Sequence, residues 1–184
     1  MKSLKQSIIV RLFLVLALAV VVYLGFNLRT RYFSAQPFWE KRPAGQTGDV
    51  YDFAGMLADT RESTAQFLEM IKSDHAIEAV IVTTAALPPT HTIESLAAEL
   101  FSNWKIGQNT DGRGVLLILS DQEKLIKIEV SYELEDVFTD IFCGYIEDKQ
   151  LKSYFLSNQV DIGLVAVLEE IERRYIDHVL QAAG

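Results

Sequence analysis

Carboxylates are the groups in this chain whose placement could do chemistry. Asp52, Asp111, Glu135, Asp136 and Asp140 all stand in stretches that connect regular elements, where oxygen ligands for Ca²⁺ or Mg²⁺ usually come from. Asp52, Asp111, Glu135 and Asp140 are therefore the candidate metal ligands. With a metal-activated water, Asp52, Glu135 and Asp140 could also serve phosphoryl transfer as ligands or general acids. Residues 47–184 hold twenty-four acids, so any one of them can equally be a turn, cap or solvated residue. Other machinery is missing. The three histidines, His75, His91 and His178, have no metal-ligand spacing and read as surface or capping residues. No Gly-Lys-Ser/Thr phosphate loop, Gly-x-Ser-x-Gly or His-Glu-x-x-His occurs. No catalytic residue is assigned. Cys143 is the single cysteine, so no intrachain disulfide can form; among Ile141, Phe142 and Tyr145 it reads as buried and inert.

The elements that would position these acids can be read from periodicity. Val50 to Leu57 opens the domain, and Asp59 with Glu62 three residues on looks like the capped start of a helix carrying Leu68 and Ile71. Ala79 to Thr84 is β-branched and predicts a strand. After Pro88-Pro89, Thr92 is a plausible N-cap for a helix with Ile93, Leu96, Ala97, Leu100, Phe101 and Trp104 on one face. Ile106 to Gly114, with three glycines and Asn-Thr-Asp, must turn. Val115 to Leu119 has no polar residue, the pattern of a strand covered on both faces. Lys124 to Tyr132 alternates and predicts a strand with one polar-leaning face. A third helix is expected to about Tyr154, and a long fourth carries Leu164, Leu168, Ile171, Tyr175 and Val179. Three strands with helices between and after them make an α/β domain, covered on both faces. Strands 79–84 and 114–120 should be parallel through a crossover; strand 124–132 should return antiparallel.

Ahead of the domain, Leu12 to Leu28 is seventeen residues without a charge. At ~1.5 Å per residue it spans about 25 Å, which snorkelling by Arg11 extends towards the ~30 Å hydrocarbon core. That length exceeds a signal-peptide core, and Ala17-Leu18-Ala19 lies inside it, so an uncleaved anchor is favoured over a cleaved signal. Basic residues flank the run on both sides; the N-terminus is taken as cytoplasmic by analogy with signal anchors. The reading is thus an anchor at 1–30, a linker at 31–48 and a domain at 49–184. Tyr32, Phe33, Phe38 and Trp39 in the linker, with Arg11 and Tyr23 in the span, are the expected contacts with the bilayer or with a neighbouring membrane subunit. Residues 1–46 carry seven Lys/Arg and one acid; residues 47–184 carry ten Lys/Arg against their twenty-four acids, a net of −14. Nucleic acid is an unsuitable partner for such a head, and a divalent cation or a basic protein surface suits it better.

Four stretches resemble one family. Val50-Tyr51-Asp52-Phe53-Ala54-Gly55-Met56-Leu57 is similar to its opening Val-x-Asp-x-Ala-Gly-x-Leu. Leu96 to Phe101 with Trp104-Lys105-Ile106-Gly107 resembles its helix and turn, and Gly112 to Leu119 its glycine-led strand. Lys127 to Val130 with Leu134-Glu135 and Thr139-Asp140 resembles the stretch that follows. Together these resemble the TPM domain over about residues 49–180. The resemblance implies a three-layer α/β/α fold with a mixed sheet, often on a membrane tether outside the cytoplasm. It also implies either acid phosphatase activity or service to a membrane complex, as in photosystem II repair or as an auxiliary receptor subunit, and Ca²⁺ binding near the sheet edge. Ser131-Tyr132-Glu133-Leu134-Glu135 departs from the family's Gly-Tyr-Gly-Leu-Glu by losing both glycines, which puts a shared loop shape and a catalytic role in doubt. The expected function is therefore a non-enzymatic accessory subunit of an integral membrane complex, photosynthetic or respiratory. It would sit single-pass in the inner membrane with its head in the periplasm or lumen. A metal-dependent acid phosphatase and a Ca²⁺-binding structural domain are the alternatives.

Overall fold

Strands without polar residues must be covered on both sides, and that demand organises the chain. The computed structural model describes residues 37–44 and 48–184. The apolar run at 12–28 and the contacts expected at Arg11, Tyr23, Tyr32 and Phe33 lie outside them. Among the described residues no helix is long and apolar enough to cross a membrane.

The elements run β1 (Val50–Asp52), α1 (Arg61–His75), β2 (Glu78–Thr84), α2 (Ile93–Asn103), β3 (Gly114–Ser120) and β4 (Leu125–Val130). A 3₁₀ turn (Tyr132–Leu134), α3 (Asp140–Tyr145), a π-helical turn (Ile146–Leu151), α4 (Lys152–Leu156) and α5 (Val160–Ala182) complete them. The sheet order is β1-β2-β3-β4. β1, β2 and β3 are parallel, with Val50 opposite Ile81 and Glu78 opposite Gly114; β4 is antiparallel, with Leu117 opposite Ile128. Every residue of β2 and β3 is buried.

Alternation along these strands feeds two cores. Ala79, Ile81, Val115, Leu117 and Leu119 pack with α1 and with α3 to α5. Val80, Val82, Leu116 and Ile118 pack with α2, Trp104 and Ile106 on the opposite face. The result is the expected mixed-sheet α/β arrangement with helices on both faces.

Three details differ from the sequence reading. A fourth strand, β1, is present; at three residues it is too short for a period of two to show, and it forms by pairing with β2. Asp59 does not cap α1: Thr60 occupies that position without a side-chain bond, and Glu62 lies in the first turn. The third helix continues to Leu156 but widens into a π turn over Ile146–Leu151. Thr92 does cap α2. Its hydroxyl accepts from Ser95 N–H, and Ser95 Oγ accepts from Thr92 N–H, a reciprocal capping box.

Phe38 and Trp39, placed in the linker by the sequence reading, pack against the second core as partly buried residues. Trp104 Nε1 donates to the Phe38 carbonyl at 3.0 Å, and Asn103 Nδ2 to that of Trp39 at 3.1 Å. The described unit therefore begins at Phe38, well before residue 49. Aromatic side chains find cover on the nearest apolar face, here that of α2.

Candidate functional site

The four candidate ligands fall in three places. Asp52 ends β1 and is fully engaged: Oδ1 accepts from Met56 N–H at 2.9 Å and the Thr83 hydroxyl at 2.5 Å, and Oδ2 from Leu57 N–H at 2.9 Å. It staples the turn that leads to α1. Asp111 sits in the glycine turn before β3, at positive φ, with its side chain 92% exposed and Arg113 at 3.7 Å. Asp52 and Asp111 thus occupy opposite ends of the parallel strands.

Glu135 and Asp140 do come together. They line a recess of about 240 Å³ between β4 and the α3–π segment, with Lys127, Glu129, Cys143 and Glu147 also on its wall. β4 is the free edge of the sheet beyond β3. Its outward Ile128 N–H donates to Glu147 Oε1 at 2.7 Å, and Lys127 Nζ reaches the same oxygen at 3.2 Å. The π turn carries Glu147 to that edge, and the carboxylate satisfies a strand donor that would otherwise be open to another chain.

Burial raises the Glu129 carboxyl above its ordinary range; Lys127 opposes the shift, and Glu147 and Asp140 add to it. Burial, with Glu147 contributing next, pushes the Cys143 thiol up to about 11. A thiol held protonated is a poor nucleophile, in keeping with the inert role read for it. Among the described residues no three His, Cys, Asp or Glu side chains converge as a metal ion would require. The recess offers carboxylates to a cationic group along its wall, without a ready-made ligand cage.

Sequence reasoning missed Glu129, Lys127 and Glu147 here. The first two share the polar face of an alternating strand, a signal that was visible. Glu147 reaches the edge only through the π turn, which leaves no mark in the periodicity.

Of Ser131 to Glu135 only Glu135 lines the recess, and none of the five residues has a positive φ. Ser131 is extended at φ −72°, and its hydroxyl accepts from Gly114 N–H at 2.9 Å. The backbone of this chain needs no positive φ there, so it requires neither glycine.

Comparison with known proteins agrees with this architecture. The TPM domain family matches residues 50–174. The chain belongs to the TPM domain family. Among solved structures, the N-terminal domain of a P. gingivalis protein superposes with this TPM domain at a TM-score of 0.65 and 25% identity, covering 75% of this chain and 87% of that one. The BA42 protein of the psychrophile Bizionia argentinensis gives 0.54 at 17% identity, covering 64% and 79%. The N-terminal domain of a Corynebacterium glutamicum protein gives 0.52 at 12% identity, covering 70% and 80%. The last two likenesses speak to the fold alone. No curated protein matches the chain.

Proposed function

We propose that this TPM domain is the extracytoplasmic head of a single-pass membrane protein, serving as an accessory or assembly subunit of an integral membrane complex without chemistry of its own. The observation that carries the reading is the division of the chain: an uncharged seventeen-residue run with basic flanks, followed by a head of net charge −14. The run suits a bilayer, and an acidic head suits a basic surface on a membrane partner such as a photosynthetic or respiratory complex. Native purification under mild detergent with crosslinking tests it. Comigration with an integral membrane protein is expected; a chain that runs alone and crosslinks to nothing overturns it. The same reading expects wild type and Asp52→Asn to give equal background rates on a chromogenic phosphate ester, because Asp52 is spent on its turn.

A second reading, compatible with the first, is favoured by the recess beside β4. Glu135, Asp140, Glu129 and Glu147 line its wall, and because no three of them converge, Ca²⁺ or Mg²⁺ would bind there with most of its shell still water. Calorimetric titration with Ca²⁺ checks it: heat and a rise in Tm at millimolar metal, both lost in Glu135→Gln, are expected. The absence of both heat and a Tm shift would overturn it.

A further inference from the structure

The segment just ahead of β1 is tied down by side chains rather than by a backbone ladder. Arg42 spends its guanidinium three ways: Nε donates to Tyr51 Oη at 2.7 Å, Nη1 to Glu78 Oε1 at 2.6 Å and Nη2 to Asp49 Oδ1 at 2.6 Å. It also lies 5.5 Å from the Tyr51 ring centroid. Glu78, the first residue of β2, is only 3% exposed, and its other oxygen accepts from Gly107 N–H at 2.8 Å. Gly107 opens the turn before β3, and its carbonyl accepts from Gly112 N–H. Upstream of Arg42, the Phe38 ring meets Phe53 at 4.8 Å and the Trp39 ring meets His91 at 5.2 Å. Residues 38–40 form a local turn, and among the described residues no backbone-to-backbone hydrogen bond ties residues 38–44 to the rest of the domain.

We propose that Phe38–Arg42 is a releasable strap that crosses the face of β1 and α2, ends with Arg42 at the N-terminal end of β2, and couples the chain before it to the Gly107–Gly114 turn. In the closed state, the one observed, Arg42 neutralises Glu78. On release, Glu78 is a buried carboxylate with no cationic partner, and turning out to water to regain solvation breaks its bond to Gly107 N–H. The apolar face formed by Tyr51, Phe53, Phe101 and Trp104 opens at the same time. Because its ties are side-chain contacts rather than ladder bonds, the strap can open without unpairing a strand, at less cost than the sheet it lies on. A pull or a partner acting on the chain before Phe38 therefore reaches the turn through Arg42, Glu78 and Gly107. This holds whatever the partner is.

Both tryptophans of the chain, Trp39 and Trp104, sit at this strap, so emission reports on it directly. The test is amide hydrogen exchange and tryptophan emission on the full chain in detergent micelles. Arg42→Ala is expected to red-shift emission and to speed exchange at residues 105–113 at least tenfold, with residues 115–119 of β3 unchanged. Adding Glu78→Gln should restore protection at 105–113 while emission stays red-shifted. Trp39→Ala, which strands no charge, should speed exchange at 105–113 at least twofold. Unchanged exchange at the turn in Arg42→Ala or in Trp39→Ala overturns the proposal. So does equal loss at the turn and in β3, which would mark an ordinary stabilising ion pair.

Discussion

Glu129 is the residue through which the recess should respond to pH. Its folded carboxyl titrates above the ordinary value because it is partly buried, so the folded state keeps that proton to higher pH than the unfolded chain does. The stability cost of ionising it therefore sets in as pH rises past about 4.3, the ordinary glutamate value, and is complete above the raised one. Glu129→Gln should raise Tm at pH 7, and the gain should vanish as pH falls below about 4; thermal melts across that range check both halves. Cys143 makes a simpler case. With its thiol buried and its pKa near 11, it should resist alkylation at pH 8 in the folded protein and react fully once denatured. Rapid labelling without denaturant would mean that the α3–π segment opens. Asp52, the candidate with the most regular sequence setting, proved to be a structural staple. A loop position and a negative charge are shared by ligands and turn residues alike; only the bond partners tell them apart.

At the scale of the element, the reciprocal cap of α2 invites a test. Thr92→Ala removes the acceptor of Ser95 N–H and should cost about 1 kcal/mol of stability, read from chemical denaturation. The cost falls on the helix that covers the second core, where Leu96, Ala97 and Leu100 are fully buried. β4 shows how an element can be finished by a distant one. Its alternation was plain in the sequence, but the closing of its free edge by Glu147 depends on a π turn nineteen residues further on. Periodicity carries no record of such a turn, since the residues around it keep a helical pattern. β1 was obscured for the opposite reason: three residues make no period, and partnership with β2 is what turns them into a strand.

At the scale of the whole molecule, the proposed anchor decides where the acidic head can act. Under this reading the full chain should remain with membranes after alkaline carbonate extraction. Val20→Arg, a charge at the centre of the uncharged run, should cost about 2.5–3.5 kcal/mol of insertion and release a measurable fraction. If wild type is fully extracted by carbonate, the anchor reading fails. The compact unit itself begins at Phe38, so the strap counts as part of the head.

The sequence by itself determined the α/β class, the parallel pair β2–β3, the antiparallel return of β4, the capped α2 and the family. All of these rest on local patterns: apolar runs, alternation, caps and glycine turns, each legible within a few residues of chain. Tertiary structure alone decided which acids meet. Glu135 and Asp140 join Glu129 and Glu147, Asp52 is spent on its own turn, and Asp111 stands apart in solvent. Only the fold, likewise, drew Phe38, Trp39 and Arg42 into the domain. The physical reason is the same in each case. A charged or aromatic side chain takes its role from what lies within a few ångströms, and for Arg42 and Glu78 that neighbour is thirty-six residues away.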